Sequence, residues 1–260
     1  GRVIIDFKFG HLEKFKGDLC RAMDLSTRKW GWINKAGNWV YPAIYYQNQD
    51  FNALGFAIVA IENEESYVSA GDTIKRDILY KGIINKAGKF VVPPIYADLQ
   101  SLMFYRDAKQ SDDNYIIAIK YNTYYEWGKY GYINIKGETL IPFLYDKASW
   151  FNEGFAVVGM NYSNTMKFGY IDKSGKMNIP AIYEYAQFFN KGKAFIKYKN
   201  RFGWINKNGV LIGQKSFEMA EDFHNDYNNH ISGNSKFALV SNNGLWGAVT
   251  NNLQEIVPIE

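Results

Sequence analysis

Cysteine, histidine and proline are scarce in this chain of 260 residues, which contains one Cys, three His and six Pro. The single Cys20 excludes an internal disulfide, and one Cys with three His does not supply the ligands of a usual structural zinc site. No apolar run approaches the roughly 18 residues that a membrane span requires. We therefore expect no cofactor, no metal and no membrane span.

An excess of charge of one sign is also missing, because 30 Lys and Arg side chains face 26 Asp and Glu, for a net charge of +4. This balance does not indicate nucleic-acid binding, since nucleic-acid-binding domains concentrate basic residues on one face. Aromatic residues are abundant, at 17% of the chain. Together with many β-branched residues they favour a β-rich fold and argue against disorder.

One short segment, residues 29–37 (Lys-Trp-Gly-Trp-Ile-Asn-Lys-Ala-Gly), recurs in altered form along the whole chain. Its first glycine, the marker glycine, occurs six times, as Gly31, Gly82, Gly131, Gly169, Gly203 and Gly247. Eleven positions after five of these glycines stand Pro42, Pro93, Pro142, Pro180 and Pro258. Fourteen positions after the marker glycine, the first five copies have an aromatic residue: Tyr45, Tyr96, Tyr145, Tyr183 and Phe217. Twenty positions after the marker glycine, the same five copies have a large apolar residue: Phe51, Leu102, Phe151, Phe189 and Phe223.

Each recurring position has a physical interpretation as part of an antiparallel strand unit. The aromatic and β-branched run from Trp30 suits a strand, and Asn34 to Gly37 suits a type I turn followed by a glycine at positive φ. The marker glycine allows a close backbone approach or a bulge. Pro42 is expected to end the pairing of the second strand, because proline has no N–H. A third strand follows, such as residues 55–59.

The sequence therefore predicts a single all-β domain over residues 1–260, built from about six units of antiparallel hairpins or three-stranded meanders. A partial unit covers residues 1–28, and further units start near residues 29, 80, 129, 167, 201 and 245. We expect an open, elongated β array. A closed, propeller-like ring is the alternative, because radial repetition also protects sheet edges.

These motifs closely resemble the bacterial WG repeat family, also called KWG repeats. Its units follow the pattern K-W-G-[YW]-I-[DN]-K-x-G, then I-P and a Tyr, and then F-x-x-G-x-A. Residues 29–37 with Pro42 and Tyr45 match it, as do residues 167–175 with Pro180 and Tyr183. The second copy lacks both aromatics beside Gly82, and the sixth lacks the turn glycine. The resemblance implies a repeat scaffold that serves as a binding or interaction module, without catalytic residues.

Insertions between the repeats are the expected place for function, because loops held by a regular scaffold commonly carry binding sites. They fall at residues 62–80, at 104–114 with 121–127, and at 224–234. The segment 120–127 concentrates four aromatics outside the repeat pattern, and such residues anchor protein interfaces and stack on sugars. The candidate partner-binding residues are Tyr121, Tyr124, Tyr125 and Trp127. The alternative is that this segment packs on its own scaffold.

The leading hypothesis is a non-catalytic β-repeat scaffold that binds another protein, in a bacterium, through its insertion loops. The alternative is a cell-envelope or glycan-binding module, in which weak sites on successive units add through avidity. Burial of Trp32, Tyr132, Tyr170 and Trp204 would count against that alternative. The third hypothesis is an enzyme without a recognisable motif. The compartment is unknown; the chain begins at Gly1 without a signal segment, and we expect a soluble protein, with a secreted or envelope-associated protein whose signal has been removed as one version.

Overall fold

The computed structural model describes residues 5–100, 114–122, 127–214, 216–220, 237–250 and 255–257. The chain forms a first unit, Gly1–Leu144, and a second unit, Tyr145–Glu260. The described segments consist of β-strands, turns and one 3-10 turn at Ile212–Gln214. They contain no helix with the length and apolar character that crossing a membrane requires. The predicted all-β class is confirmed.

Three four-stranded antiparallel sheets form the first unit, and sequential strands are neighbours in each sheet. The first sheet contains β1 to β4 (Phe9–Leu12, Cys20–Asp24, Trp30–Ile33 and Trp39–Tyr45). The second contains β5 to β8 (Gln47–Asn48, Phe56–Ser69, Asp72–Asn85 and Phe90–Tyr96). The third contains β9 to β12 (Asp98–Gln100, Ile116–Tyr121, Trp127–Ile133 and Thr139–Tyr145).

The second unit repeats this architecture. The fourth sheet contains β13 to β16 (Lys147–Ala148, Phe155–Tyr162, Thr165–Asp172 and Met177–Tyr183). The fifth contains β17 to β19 (Tyr185–Ala186, Lys193–Tyr198 and Arg201–Asn206). The sixth contains β20 to β23 (Met219–Ala220, Phe237–Asn242, Leu245–Thr250 and Glu255–Val257). Within the described ranges none of the six sheets closes into a barrel, as expected for an open repeat array.

The sheets are out of phase with the sequence motif. A new sheet begins two residues after the recurring tyrosine, so that β5 starts at Gln47 after Tyr45 and β13 at Lys147 after Tyr145. The strand that contains the marker glycine is the third of its sheet, and it pairs with a strand from the preceding sequence unit. The additional first strand is only two or three residues long in sheets two to six. The starting positions of the repeat units and the assignment of residues 1–260 to a single domain stay predictions.

The hairpin turn has the predicted geometry. The Asn34 side chain accepts hydrogen bonds from the backbone N–H groups of Ala36 at 3.0 Å and Asn38 at 3.1 Å. Gly37 has a φ of 77°, in the left-handed region that glycine adopts without steric cost. The glycines at the equivalent position also have positive φ: Gly88, Gly137, Gly175 and Gly209. An amide or carboxylate oxygen at the turn start therefore bonds the turn backbone, and a glycine completes it.

The marker glycine faces a bulge of the neighbouring strand. Trp30 pairs with Tyr45 and Trp32 with Tyr41, so the strand opposite Gly31 carries two additional residues. A Cβ on Gly31 would lie 2.5 Å from the Tyr41 carbonyl oxygen. The expectation that Pro42 ends the pairing is wrong, since β4 continues to Tyr45. The proline lies inside the bulge, where its missing N–H leaves no ladder hydrogen bond unmade.

The recurring aromatic positions converge in the core between successive sheets. The Trp32 ring lies 5.7 Å from the ring of Tyr45 and 5.1 Å from that of Phe51. In the second unit Tyr170 contacts Phe189 at 4.8 Å between ring centroids, and Tyr183 at 6.4 Å. The offsets of one, fourteen and twenty positions from the marker glycine therefore describe one packed cluster. Alternate residues of a strand enter different clusters, so both faces of an inner sheet are buried.

Candidate functional site

The first insertion is a long hairpin that continues the second sheet. β6 and β7 pair without a register shift from Phe56 and Asn85 at the base to Ser69 and Asp72 at the tip. Ala70 and Gly71 form a two-residue turn with φ values of 53° and 92°. This turn matches the twist of the two strands. The insertion expected as a loop is therefore regular β-structure.

Most of this hairpin extends beyond the sheet that holds its base. β5 pairs with β6 only at Val59 and Ala60. On the other side, the pairing of β8 with β7 ends at Lys81, so residues closer to the hairpin tip have no partner in β8. Residues 62–79, which we call the ribbon, have no third strand among the residues that the structure describes. Each strand of the ribbon is about 25 Å long, at roughly 3.4 Å per residue.

The two edges of the ribbon differ. Antiparallel strands alternate between residues whose backbone groups bond the partner strand and residues whose groups point away. At the base, the Ala60 carbonyl oxygen accepts a 2.8 Å hydrogen bond from the Tyr46 N–H on the outer side of β6. Continuing this alternation, four residues point their backbone N–H and C=O groups outward along β6: Glu62, Glu64, Ser66 and Val68. On the opposite edge, the Leu79 carbonyl oxygen accepts the Tyr121 hydroxyl at 2.7 Å.

Acidic side chains line the β6 strand of the ribbon. Glu62, Glu64 and Glu65 occur within four positions. The Lys75 ammonium lies 2.7 Å from a Glu64 carboxylate oxygen, but both side chains are more than half exposed. An exposed pair of this kind contributes little to stability and exchanges easily for another partner. The β6 edge therefore combines outward backbone groups with available negative charge.

Tyr121 braces the base of the ribbon. Besides its hydrogen bond to Leu79, its ring packs edge-on against Tyr80 at 5.5 Å between centroids. Burial raises the pKa of the Tyr121 hydroxyl; the nearby Arg76 lowers it and Asp98 raises it further. The hydroxyl is thus a neutral donor at pH 7. Its contacts agree with the alternative that this residue packs on the scaffold.

A partly buried ion pair lies next to this base. The Lys81 ammonium contacts the Asp98 carboxylate at 2.6 Å, and the Gln100 amide donates to the other oxygen of that carboxylate at 2.8 Å. Corresponding positions in other sheets hold an aromatic residue in place of Lys81, such as Trp30. Alignment of the repeats shows that Lys81 replaces an aromatic residue, which marks this position as unusual. The spacing of residues along the chain does not indicate that Asp98 would be its partner. The pair fixes the second sheet to the short strand that precedes residues 101–113.

The other predicted partner-binding residues are only partly placed. Trp127 begins β11, and its backbone pairs with Tyr121. The Trp127 side chain, and the whole of Tyr124 and Tyr125, lie outside the part of the chain that the structure describes. The structure therefore joins the first insertion to the start of the second through Tyr121. Pro258 and the insertion at 224–234 also lie outside the described residues.

The four aromatics that directly follow a marker glycine are buried. Trp32 and Trp204 are each 1% exposed, and Tyr132 and Tyr170 are fully covered. Burial raises the pKa of Tyr170 far above its usual value, and its hydroxyl donates to the Gln187 carbonyl oxygen at 2.8 Å. These rings cannot stack on a sugar without unfolding the sheets around them. Their burial counts against a glycan-binding module in which these repeated aromatics form the sugar sites.

Carboxylates with shifted pKa values have structural causes. The Ser26 hydroxyl lowers the pKa of Asp24, and the Ser174 hydroxyl lowers that of Asp172, in each case within a turn. Burial of Glu153 raises its pKa, but hydrogen bonds from the Gly192 amide and from Lys207 outweigh burial and lower it overall. The described residues contain no cluster of three or more His, Cys, Asp or Glu side chains placed to hold a metal ion.

The fold and its repeating contacts define a class of protein: an all-β repeat protein whose sheets are linked through equivalent glycine, proline and aromatic positions. Comparison with protein families gives the same result. The model of the WG containing repeat matches residues 30–64, 82–101, 130–162 and 168–201. The chain carries WG-containing repeats over these four stretches. A search of curated proteins finds no match.

Proposed function

We propose that this chain is a non-catalytic β-repeat scaffold that binds another protein through the ribbon of its first unit. The observation that carries the proposal is the ribbon itself: a strand pair held firmly at its base, with a β6 edge that no other described strand covers beyond the sheet. A free β-edge attracts a further strand, and proteins commonly cover or interrupt such an edge when it has no role. The stacked sheets provide the rigid base that a binding element needs.

The glycan alternative retains one supporting observation. Trp150 and Phe188 occupy equivalent repeat positions and are 41% and 44% exposed. They are two half-exposed rings, however, whereas the four aromatics that directly follow a marker glycine are buried. The ribbon has no counterpart elsewhere in the described structure, and a feature unique to one unit favours a specific partner over a repeated weak site.

Excision of the ribbon tests this proposal. Replacing residues 62–79 with Asn-Gly joins Ile61 to Tyr80 through a two-residue turn. In the sixth sheet Asn243 and Gly244 form such a turn at the corresponding place, between Asn242 and Leu245. Because the remaining sheet keeps its pairing, we expect the excised protein to stay folded, with a cooperative thermal transition, and to lose its partner.

Affinity capture with stoichiometric quantification by mass spectrometry measures the loss. Wild type and excised protein are compared on the soluble and the envelope fractions of the source cells. A single protein retained by wild type and lost by the excised chain supports the proposal. A partner retained equally by both chains contradicts it, as does retention of both chains on envelope polysaccharide without a protein.

A further inference from the structure

We propose that the β6 edge of the ribbon, from Glu62 to Val68, accepts an extended basic segment of the partner as an additional antiparallel strand. This inference rests on the proposed function and specifies its chemistry: the bound segment carries Lys or Arg at alternate positions. Recognition combines main-chain hydrogen bonds, which give affinity, with side-chain charge, which gives selectivity.

The backbone geometry of β6 leaves its outer edge ready for pairing. The four residues with outward groups offer four N–H donors and four C=O acceptors in a straight row. Their pairing with β7 continues without a bulge over the whole length of both strands. Residues 62–69 contain neither proline nor lysine, the residues that most often protect an edge.

The opposite edge is less available. Its outward residues are Thr73, Lys75, Asp77 and Leu79, and the carbonyl oxygen of the last already accepts the Tyr121 hydroxyl. A strand that paired along β7 would have to displace this hydrogen bond and the Tyr121 ring. Among the described residues, the β7 edge is therefore partly occupied and the β6 edge of the ribbon is not.

Charge selects the occupant. The Glu62 and Glu64 side chains project on one face of the ribbon, because residues two apart in a strand share a face. An antiparallel strand places two of its own alternate residues directly opposite them, and opposite charges at such positions attract. Pairing of two β6 edges from two copies of this chain would bring acidic residues against acidic residues. The charge thus disfavours self-association and favours a basic segment.

A synthetic peptide probes this edge directly. The probe is a fluorescein-labelled, amidated heptapeptide with Lys at the fifth and seventh positions, Val at the second, fourth and sixth, and Thr at the first and third. It spans Glu62 to Val68 and stops short of Ala60, which β5 already pairs. In an antiparallel pairing with Lys opposite Glu62 and Glu64, the lysine N–H groups point toward β6 and the valine N–H groups point away. Methylation of the two lysine backbone nitrogens should therefore abolish binding, whereas methylation of two valine nitrogens should leave it intact. Both peptides keep the same charge.

Two proline variants form a matched pair in the protein. Ser66→Pro removes an outward N–H from the β6 edge, and Thr73→Pro removes one from the β7 edge; neither N–H bonds the other ribbon strand. We expect Ser66→Pro to weaken peptide binding by about tenfold or more, through lost hydrogen bonds and steric block. Thr73→Pro should change the affinity by less than about twofold, which corresponds to under 0.5 kcal/mol. Fluorescence anisotropy measures both affinities, and circular dichroism confirms the fold.

The outcomes separate this inference from the proposed function. Equal binding of the two N-methylated peptides overturns strand addition, and so does the absence of binding to wild type at a protein concentration of about 1 mM, because a weaker dissociation constant corresponds to less than about 4 kcal/mol. Equal binding of a peptide with Glu in place of Lys overturns the selection of a basic segment. The peptides use wild-type protein, so this result does not depend on the folding of a variant. If the natural partner is lost on ribbon excision but retained by Ser66→Pro, the proposed function holds and strand addition is wrong.

Discussion

Replacing Trp204 with alanine should lower the free energy of unfolding by about 4 kcal/mol, the usual range for a large buried aromatic. The Trp204 ring packs at 5.1 Å from that of Phe195 and 6.3 Å from that of Phe217, between the fifth and sixth sheets. Ala238 and Val240 complete the cluster from the neighbouring sheet. Truncation leaves a cavity that both sheets line, so neither can collapse into it without losing other contacts.

Urea denaturation monitored by circular dichroism measures this loss, and Trp150→Ala is the control. Trp150 is the same residue type in the same unit but is 41% exposed. Its removal should cost less than about 1 kcal/mol, as surface substitutions usually do. Equal effects of the two substitutions would show that the Trp204 ring is not a core element. The conclusion that the recurring aromatics form the packed core between successive sheets would then be wrong.

Gly169→Ala should destabilise the protein by about 3 kcal/mol, at the upper end of the usual cost of overpacking. An added Cβ would lie 2.6 Å from both the Ala181 nitrogen and the Ile179 carbonyl oxygen. Backbone atoms cannot rotate away as a side chain can, so the bulge that contains Pro180 would have to shift. The pairing of Phe168 with Tyr183 depends on that bulge.

Gly192→Ala separates this packing effect from backbone conformation. Gly192 has a φ of 79°, and no atom of the described residues lies within 4 Å of the position of an added Cβ. Its substitution tests conformational strain alone and should cost about 1 kcal/mol. Thermal and urea unfolding of both variants measure the difference. If Gly169→Ala lowered the free energy of unfolding no more than Gly192→Ala does, the conclusion that the bulge closely approaches the marker glycine would be wrong.

Much of each sheet could be predicted from the sequence, because the repeat reports local geometry. Asn34 and Gly37 specify a turn through their own conformational preferences, and the run beginning at Trp30 specifies a strand. Such properties depend on neighbours along the chain and recur with the motif. The same comparison identified Gly31 as a place of close backbone approach, although not the strand it approaches.

The bulge at Pro42 could not be predicted in the same way. A proline normally ends ladder pairing, and only the tertiary contact with Gly31 explains why β4 resumes its pairing at Tyr45. The packing of Phe51 on Trp32 likewise joins residues nineteen positions apart. Offsets along the sequence show that these positions recur together, but stacking of successive sheets brings them into contact.

The candidate site was the least predictable part. The insertion at 62–80 interrupts the repeat, and an interruption suggests a loop when only the repeat is considered. Its own pattern contained the correct signal: β-branched residues such as Val68 and Thr73 flank Ala70-Gly71 at hairpin spacing. The role of Tyr121 as a brace depends on a contact 42 residues away along the chain, with Leu79. Long-range contacts of this kind leave no trace in local spacing.

Residue-resolved amide hydrogen exchange on the free protein tests the open β6 edge most directly. Protected amides are those bonded to the partner strand, and outward amides exchange quickly. We predict slow exchange at Asn63 and Glu65 and fast exchange at Glu62, Glu64 and Ser66. This alternation marks an edge available to a binding partner. Uniform protection along all five residues would show that another part of the chain already covers the edge, and would contradict the ribbon as the site of partner binding.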